Sequence, residues 1–256
     1  MSAEELVQQQ AADGVLTITM NRPAQRNAIN HDVAVALGAA LDRLDADPAV
    51  AVGVLTGAGG TFSAGMDLKA FAGGQTPVLP GRGLGGLTRA VVAKPLIAAV
   101  EGWALGGGFE LALACDLIVA AENATFGFPE VKRGLIAGEG GAVRLPHRLP
   151  HHLAMRLLLT GDPITAPVAQ QYGLVADLAA TGSALSAAQA LAARIAMNAP
   201  LALASVKQVV RETQALPEGE AFIRQDEIAA PLLRSDDARE GAVAFAEKRS
   251  PVWHGR

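Results

Sequence analysis

The sequence predicts an α/β fold in which a core of strands and short helices is followed by a helical C-terminal region. Short apolar runs typical of buried strands alternate with segments of helical apolar spacing over roughly the first three quarters of the chain. After about Thr181 only helical spacing remains. With 256 residues, 50% of them hydrophobic and 18% charged, the chain is long and apolar enough to bury one sizeable core.

The predicted core elements are short and are separated by turn residues. Val15–Met20 alternates β-branched and other apolar side chains and ends at Asn21-Arg22-Pro23, as a strand running into a turn does. Asp32–Leu44 carries apolar residues at helical spacing and stops at Asp47-Pro48. The remaining predicted core elements are strands at Val50–Leu55, Leu96–Val100 and Leu117–Ala120 and a helix at Gly106–Ala114.

The C-terminal region is predicted to consist of four helices punctuated by prolines. They cover Leu185–Met197, Leu201–Gln214, Phe222–Leu233 and Asp237–Lys248. The first two are Ala-rich and apolar over wide faces, and so small a region has a limited core of its own. We therefore expect these faces to pack on the core and on neighbouring subunits.

The composition argues against several classes of protein. A net charge of -4 without a run of Lys or Arg disfavours nucleic acid as a partner. Cys115 is the only cysteine, which excludes an intramolecular disulfide and a Cys-based zinc site. No apolar run is long enough for a membrane span, and Met1–Glu5 lacks the start of a signal peptide. We expect a soluble cytoplasmic protein with no membrane association.

Two Gly-rich segments each lead from a strand into a helix. In Thr56–Gly65 the glycines let backbone N–H groups turn outward before a helix that starts near Asp67. Gly106-Gly107-Gly108 opens a second helix whose first turn carries Glu110, where unpaired N–H groups and the helix dipole suit a developing oxyanion. Gly-rich turns are also common as plain connections, and a first-turn glutamate is a good dipole partner. Three successive glycines, each costly in a helix, nevertheless indicate that something approaches this backbone closely.

Glu130 is the second candidate carboxylate. It follows Phe126-Gly127-Phe128-Pro129, an apolar and aromatic setting in which desolvation would raise its pKa and permit general-acid catalysis. A glutamate after proline is ordinarily a solvated helix cap, and this alternative stays open for Glu130 taken alone. Two glutamates that each lie beside a Gly-rich turn favour catalysis.

Together these segments resemble the enoyl-CoA hydratase/isomerase (crotonase) superfamily over nearly the whole chain. Asn21-Arg22-Pro23 with Asn27-Ala28 resembles its N-terminal signature, Ser63–Lys69 and Ala104–Gly108 its two oxyanion loops, and Ala242–Arg249 its C-terminal end. The resemblance implies a crotonase-like spiral of repeated ββα units over residues 1–195, which carries the active site. It also implies a C-terminal helical trimerisation region over residues 196–256.

The resemblance further implies which residues form the site. The backbone amides of Met66 and Gly107 match the oxyanion hole, and Glu110 and Glu130 match the two glutamates that hold the nucleophilic water in the hydratase branch. Isomerase-type relatives commonly lack one glutamate, so the presence of both favours hydration. Gly138 matches the position whose amide helps to bind that water. The positions implied to contact CoA are Ala64, Asp67, Lys69 and, from a neighbouring subunit, Lys248.

The implied activity is that of a lyase, an enoyl-CoA hydratase that adds water syn across the double bond of a trans-2-enoyl-CoA, as in fatty acid β-oxidation. The acyl-CoA thioester is the substrate, no metal or further cofactor is expected, and the assembly is a homotrimer or a dimer of trimers. Ala137, Glu139 and the segment Gly73–Thr88 depart from the hydratase pattern, which leaves the acyl group and the role of Glu139 open. The alternatives are a carnitinyl-CoA-like dehydratase, an isomerase and a non-catalytic acyl-CoA-binding protein.

Overall fold

A computed structural model describes residues 2–256, and it shows a mixed α/β fold. The strands are β1 (Val7–Ala12), β2 (Val15–Met20), β3 (Val52–Gly57), β4 (Val78–Leu79), β5 (Gly83–Leu84), β6 (Leu96–Val100), β7 (Trp103–Leu105), β8 (Leu117–Ala121), β9 (Thr125–Gly127), β10 (Ile164–Thr165) and β11 (Asp177–Ala179). The helices are α1 (Ala3–Leu6), α2 (His31–Ala46), α3 (Leu68–Ala72), α4 (Gly107–Ala114), α5 (Gly141–Arg148), α6 (His151–Thr160), α7 (Ala166–Gln171), α8 (Ala184–Ala196), α9 (Pro200–Thr213), α10 (Glu218–Leu232) and α11 (Asp236–Glu247). Within residues 2–256, no helix is long and apolar enough to cross a membrane.

The central sheet has six strands in the order β1-β2-β3-β6-β8-β11. Only β1 and β2 pair antiparallel, and each later neighbour pairs parallel, with Val54 opposite Ile97 and Ala99 opposite Val119. Parallel strands covered on both faces require continuous apolar runs rather than alternation. All five residues of β6 are buried, as this rule demands.

A second, smaller sheet in the order β10-β9-β7 positions the Gly-rich helix start. Here β7 runs parallel to β9, with Ala104 opposite Phe126. The pairing continues past the end of β7, where the Gly106 N–H donates to the Gly127 carbonyl at 2.9 Å. Since α4 begins at the next residue, this small sheet fixes where the first turn of α4 lies.

The central sheet is covered by apolar side chains on both faces. On one face α8 packs through Ala188 and Ala192 against Val52, Ile97 and other residues of the parallel strands. The opposite face is covered by the larger part of the core, which includes α2, α4 and stacked aromatic rings. The phenylalanine side chains of this core are Phe62, Phe109, Phe126 and Phe128.

The last helices are less buried than the core elements. The four predicted C-terminal helices are present with bounds close to those expected, but α9 and α10 contain no buried residue. These two helices pack chiefly on each other. Large apolar side chains of the region are exposed in the single chain, and the division at residue 195 stays a prediction. Examples are Val206, Ile223, Leu233 and Phe245, which are 64%, 65%, 76% and 87% exposed.

The segment between α3 and β6 is ordered against the core. It includes Gly73–Thr88, which departs from the hydratase pattern, and it contains the hairpin of β4 and β5. Gly83–Thr88 is buried throughout. Arg82 ties this hairpin to α2 by an ion pair with Asp42 and by donating to the Gly38 carbonyl. The hairpin therefore forms part of the wall behind α4.

Candidate active site

Two turns are in close backbone contact at the centre of the site. The first turn follows Ser63 and the second follows Ala104. These two residues form a parallel bridge, in which the Ser63 N–H donates a hydrogen bond to the Trp103 carbonyl at 2.9 Å. Gly65 lies at the contact with a φ of +92°. A Cβ at Gly65 would lie 2.7 Å from the Leu105 carbonyl oxygen, closer than real Cβ atoms come. Only glycine permits this approach.

The approach brings the backbone amides of Met66 and Gly107 close to each other. The Cβ position of Gly107 is 3.4 Å from the Met66 nitrogen, and that of Gly65 is 2.9 Å from the Gly107 nitrogen. Neither N–H donates to an acceptor within the described chain, and Gly107 is the first residue of α4. Both residues line a cleft of about 200 Å³. Two free donors at a helix N-terminus are an arrangement that can stabilise an oxyanion.

Glu110 lies in the first turn of α4 and is only 3% exposed. Its Oε1 accepts hydrogen bonds from the backbone N–H groups of Glu139 and Gly141, at 2.7 and 2.9 Å. Burial raises the pKa of the Glu110 carboxyl, and the two backbone donors oppose that shift because they favour the charged form. The carboxylate is thus held rigidly by the loop that precedes α5.

Glu130 lies in the short 3-10 helix Pro129–Arg133, with its carboxylate against Gly106. A Cβ at Gly106 would lie 2.9 Å from Glu130 Oε1, and the φ of +54° also favours glycine there. Glu130 Oε2 is buried and accepts no hydrogen bond from residues 2–256. Burial, reinforced by the nearby charge of Glu110, raises the pKa of Glu130 to about 7.

The two carboxylates therefore flank the first turn of α4 in different environments. Glu110 accepts two backbone N–H bonds, whereas Glu130 has a buried oxygen without a partner and a pKa near neutrality. Such a difference favours the ionised form of Glu110 and the protonated form of Glu130, as general base and general acid require. The solvated-cap alternative for Glu130 does not fit the burial of its Oε2 atom.

Gly138 and Glu139 form the loop that faces Glu110. The Gly138 N–H has no acceptor within the described residues, and its carbonyl accepts from Arg89 at 3.4 Å. The side chain of Glu139 turns to the other side of the loop, towards the segment that contains Thr88 and Arg89. Gly138 and Glu139 also line a second cavity, of about 560 Å³, together with Arg144.

The residues expected to contact CoA differ in their positions. Ala64 lines the cleft. The Asp67 carboxylate pairs with Arg22 at 3.0 Å and caps α3 through the N–H groups of Lys69 and Ala70. The side chain of Asp67 is therefore engaged within the protein. Lys69 is exposed beside it on α3, outside the residues that line the cleft.

Lys248 is far along the chain from these groups. It is the C-terminal cap of α11, with a φ of +56°, and its side chain is exposed. No hydrogen bond or ion pair within residues 2–256 joins its side chain to the cleft. Its contribution to CoA binding from a neighbouring subunit stays a prediction.

The cleft also contains residues that sequence reasoning missed. Arg26 and Arg133 are exposed cations on its rim, and Arg26 lies 4.7 Å from the centre of the Trp103 ring, a cation–π distance. Trp103 itself lines the cleft and is 40% exposed. Arg26 stands one residue before the recognised Asn27-Ala28 pair, so proximity to that motif was the available signal.

Comparisons with known proteins identify the family of the chain. The family model described as Enoyl-CoA hydratase/isomerase matches residues 10–256. A carnitinyl-CoA dehydratase from Salmonella typhi is 43% identical over an alignment of 251 residues, and the match covers 94% of this chain and 95% of that protein.

Two solved structures cover almost the whole chain. A crystal structure of an enoyl-CoA hydratase from Mycobacterium tuberculosis is 52% identical with a TM-score of 0.96, and the match covers 99% of this chain and 100% of that chain. A carnitinyl-CoA hydratase from Mycobacterium avium is 45% identical with a TM-score of 0.79, covering 98% and 99%. The crotonase fold inferred from the motifs is confirmed, and the chain belongs to the enoyl-CoA hydratase/isomerase family.

Proposed function

We propose that the chain is an enoyl-CoA hydratase that adds water syn across a trans-2-enoyl-CoA. The family acts on acyl-CoA thioesters, and the observation that carries the hydratase assignment is the pair Glu110 and Glu130. Their carboxylates flank one helical turn, next to the free amides of Met66 and Gly107. An isomerase needs one group to move one proton, whereas addition of water needs a base and an acid at once.

The proposed mechanism begins at the thioester carbonyl. Its oxygen accepts hydrogen bonds from the Met66 and Gly107 amides, which stabilise the enolate-like charge formed during addition. Each donor of this kind is worth about 3 kcal/mol in the transition state. The first turn of α4 adds the positive end of its dipole at the same place.

Proton transfer is divided between the two glutamates. Glu110 accepts a proton from water as the water oxygen bonds to Cβ, and Glu130 gives its proton to Cα. Gly138 supplies a further amide for orienting the water. Afterwards Glu110 is protonated and Glu130 ionised, and transfer of one proton through solvent restores the starting state. Because addition of water involves no net oxidation, these groups suffice for the chemistry without a metal or redox cofactor.

The CoA part of the substrate is anionic, and the rim of the cleft carries cations to receive it. Arg26 and Arg133 line the cleft, and Lys69 is exposed on the neighbouring helix α3. Charge-assisted hydrogen bonds from such groups are suited to phosphates. Lys248 would join them from a neighbouring subunit of a trimer or a dimer of trimers, as the exposed apolar side chains of the C-terminal helices favour.

The test is hydration of crotonyl-CoA and longer enoyl-CoAs, followed through loss of the conjugated enoyl absorbance. Glu110→Gln and Glu130→Gln should each slow turnover by about 100- to 10,000-fold while acyl-CoA still binds. Glu122→Gln makes the same change at an exposed carboxylate and serves as the control. Near wild-type turnover by either active-site variant would refute the two-glutamate mechanism.

A second candidate is dehydration of carnitinyl-CoA, because relatives with that name match nearly the whole chain. The same two glutamates would then catalyse the reverse reaction, with Glu130 ionised to take the Cα proton. Turnover of carnitinyl-CoA above that of 3-hydroxybutyryl-CoA would favour this candidate. Conversion of a 3-enoyl-CoA to its 2-enoyl isomer would indicate an isomerase, and binding without any turnover would indicate a non-catalytic acyl-CoA-binding protein.

A further inference from the structure

Glu139 connects two parts of the site that are far apart in sequence. Its Oε2 accepts hydrogen bonds from the Leu84 N–H and the Thr88 hydroxyl, both at 3.1 Å. Its Oε1 forms an ion pair with Arg89 at 2.8 Å. Its backbone N–H donates to Glu110 Oε1 at 2.7 Å. One residue therefore holds the hairpin segment with its side chain and a candidate catalytic carboxylate with its backbone.

The hairpin segment in turn supports the oxyanion donors. The Leu84 side chain packs on Gly107, where its two Cδ atoms lie 3.0 and 3.1 Å from the Cβ position. Gly83 precedes it with a φ of +75°, and a Cβ there would lie 2.8 Å from Glu139 Oε2. Movement of this segment away from Glu139 would remove the packing behind the Gly107 amide.

The buried hydrogen bonds of Glu139 hold the hairpin segment in place more strongly than its exposed ion pair does. Arg89 is 61% exposed, and an exposed ion pair contributes little stability. By contrast, Leu84 and Thr88 are buried, at 3% and 1% exposure, so their hydrogen bonds to the carboxylate are shielded from water. Losing the carboxylate would therefore loosen the segment on its buried side.

We propose that Glu139 is a positioning residue that couples the segment Gly83–Arg89 to Glu110 and to the Gly107 amide. This inference rests on the proposed hydration, in which Glu110 is the base and Gly107 an oxyanion donor. The charge of Glu139 also acts on the Glu110 carboxyl. It favours the neutral form of Glu110, whereas the charge of Arg144 favours the ionised form. Glu130 is the further titratable group near Glu110, and the charge of Glu110 raises its pKa.

The test compares Glu139→Ala with Glu139→Gln, which keeps one carbonyl acceptor but removes the charge. A displacement of about 1 Å at a catalytic group costs about 100-fold in rate. We expect Glu139→Ala to lower kcat by about 10- to 100-fold with little change in KM. Glu139→Gln should recover much of kcat. In both variants the acid limb of the kcat–pH profile should move to lower pH, since the pKa of Glu110 falls when the neighbouring charge is removed.

Glu122→Ala and Glu122→Gln are the matched controls at an exposed glutamate, and both should leave kcat and the profile unchanged. Amide hydrogen exchange gives a second readout that needs no turnover: exchange over residues 83–89 should accelerate in Glu139→Ala and stay slow in Glu139→Gln. Wild-type kcat and pH profile in Glu139→Ala, or unchanged exchange over residues 83–89, would overturn the proposal. If the wild-type chain hydrates no enoyl-CoA, the proposed function fails, while the exchange experiment still decides whether Glu139 holds the segment.

Discussion

Replacing Glu130 by glutamine is expected to inactivate the chain and to make its fold more stable at alkaline pH. The folded protein keeps the Glu130 proton up to a pKa of about 7, whereas a glutamate without these surroundings releases it near 4.5. Between these two values the unfolded chain binds fewer protons than the folded chain. Stability therefore falls as the pH rises through this window, and the loss is complete above pH 7.

The magnitude follows from the size of the pKa rise. Each unit corresponds to about 1.4 kcal/mol, so burying an ionised Glu130 costs the folded state up to about 3 kcal/mol at pH 8. Glutamine carries no charge, so the variant avoids this cost. Its amide replaces one buried oxygen with an NH2 group, but that effect is the same at every pH and cancels when two pH values are compared.

The assay is urea unfolding of the wild type and of Glu130→Gln at pH 5 and pH 8, at one protein concentration. The difference in the free energy of unfolding should move in favour of the variant by about 1 to 3 kcal/mol between the two pH values. Glu122→Gln, at an exposed position, should show no such change. A difference that is the same at pH 5 and pH 8 would show that Glu130 is not a destabilised carboxylate, and its assignment as general acid would lose its physical basis.

Three further predictions concern the backbone and the assembly. Gly107→Pro removes one oxyanion donor and should lower kcat by about 100- to 1,000-fold; full activity in a variant whose circular dichroism is native would contradict the role of this amide. Gly106→Ala places a Cβ 2.9 Å from Glu130 Oε1 at a φ of +54°. Thermal melts should therefore show a loss of about 1 to 3 kcal/mol in the free energy of unfolding. Because the Glu130 carboxylate is displaced, the alkaline limb of the kcat–pH profile should also shift. Light scattering at micromolar concentration should find a trimer or a hexamer, in which Lys248→Ala raises KM for CoA thioesters; a fully active monomer would refute both statements.

The longer apolar elements could be predicted from the sequence because their own residues determine them. Val15–Met20 and Leu96–Val100 have the predicted bounds, and the C-terminal helices lie within a few residues of theirs. Strand β1 was missed because Gln8-Gln9-Gln10 shows no apolar alternation. Its signal was the following Asp13-Gly14 pair, whose positive φ angles form the hairpin turn onto β2.

The parts of the site that depend on distant contacts could not be predicted. The motifs pointed to Glu110, which is buried, and to Glu130, whose Oε2 is buried, and these positions beside the first turn of α4 fit that interpretation. The role of Glu139 stayed open because its side-chain partners lie about 50 residues earlier in the chain. Strand β7 could not be predicted either, since its three residues acquire strand geometry through pairing with β9.

The contact between Gly65 and Leu105 also bears on how such a chain can evolve. The two turns that supply the Met66 and Gly107 amides are joined directly by the Ser63–Ala104 bridge, with no side chain between them. A substitution that shifts one of these turns is therefore expected to shift the other. Glu130, by contrast, is carried on a separate short helix, where replacement of one side chain leaves that bridge intact. Substitution at Glu130 is therefore a route by which proton-transfer chemistry could change while the backbone geometry at Met66 and Gly107 is kept.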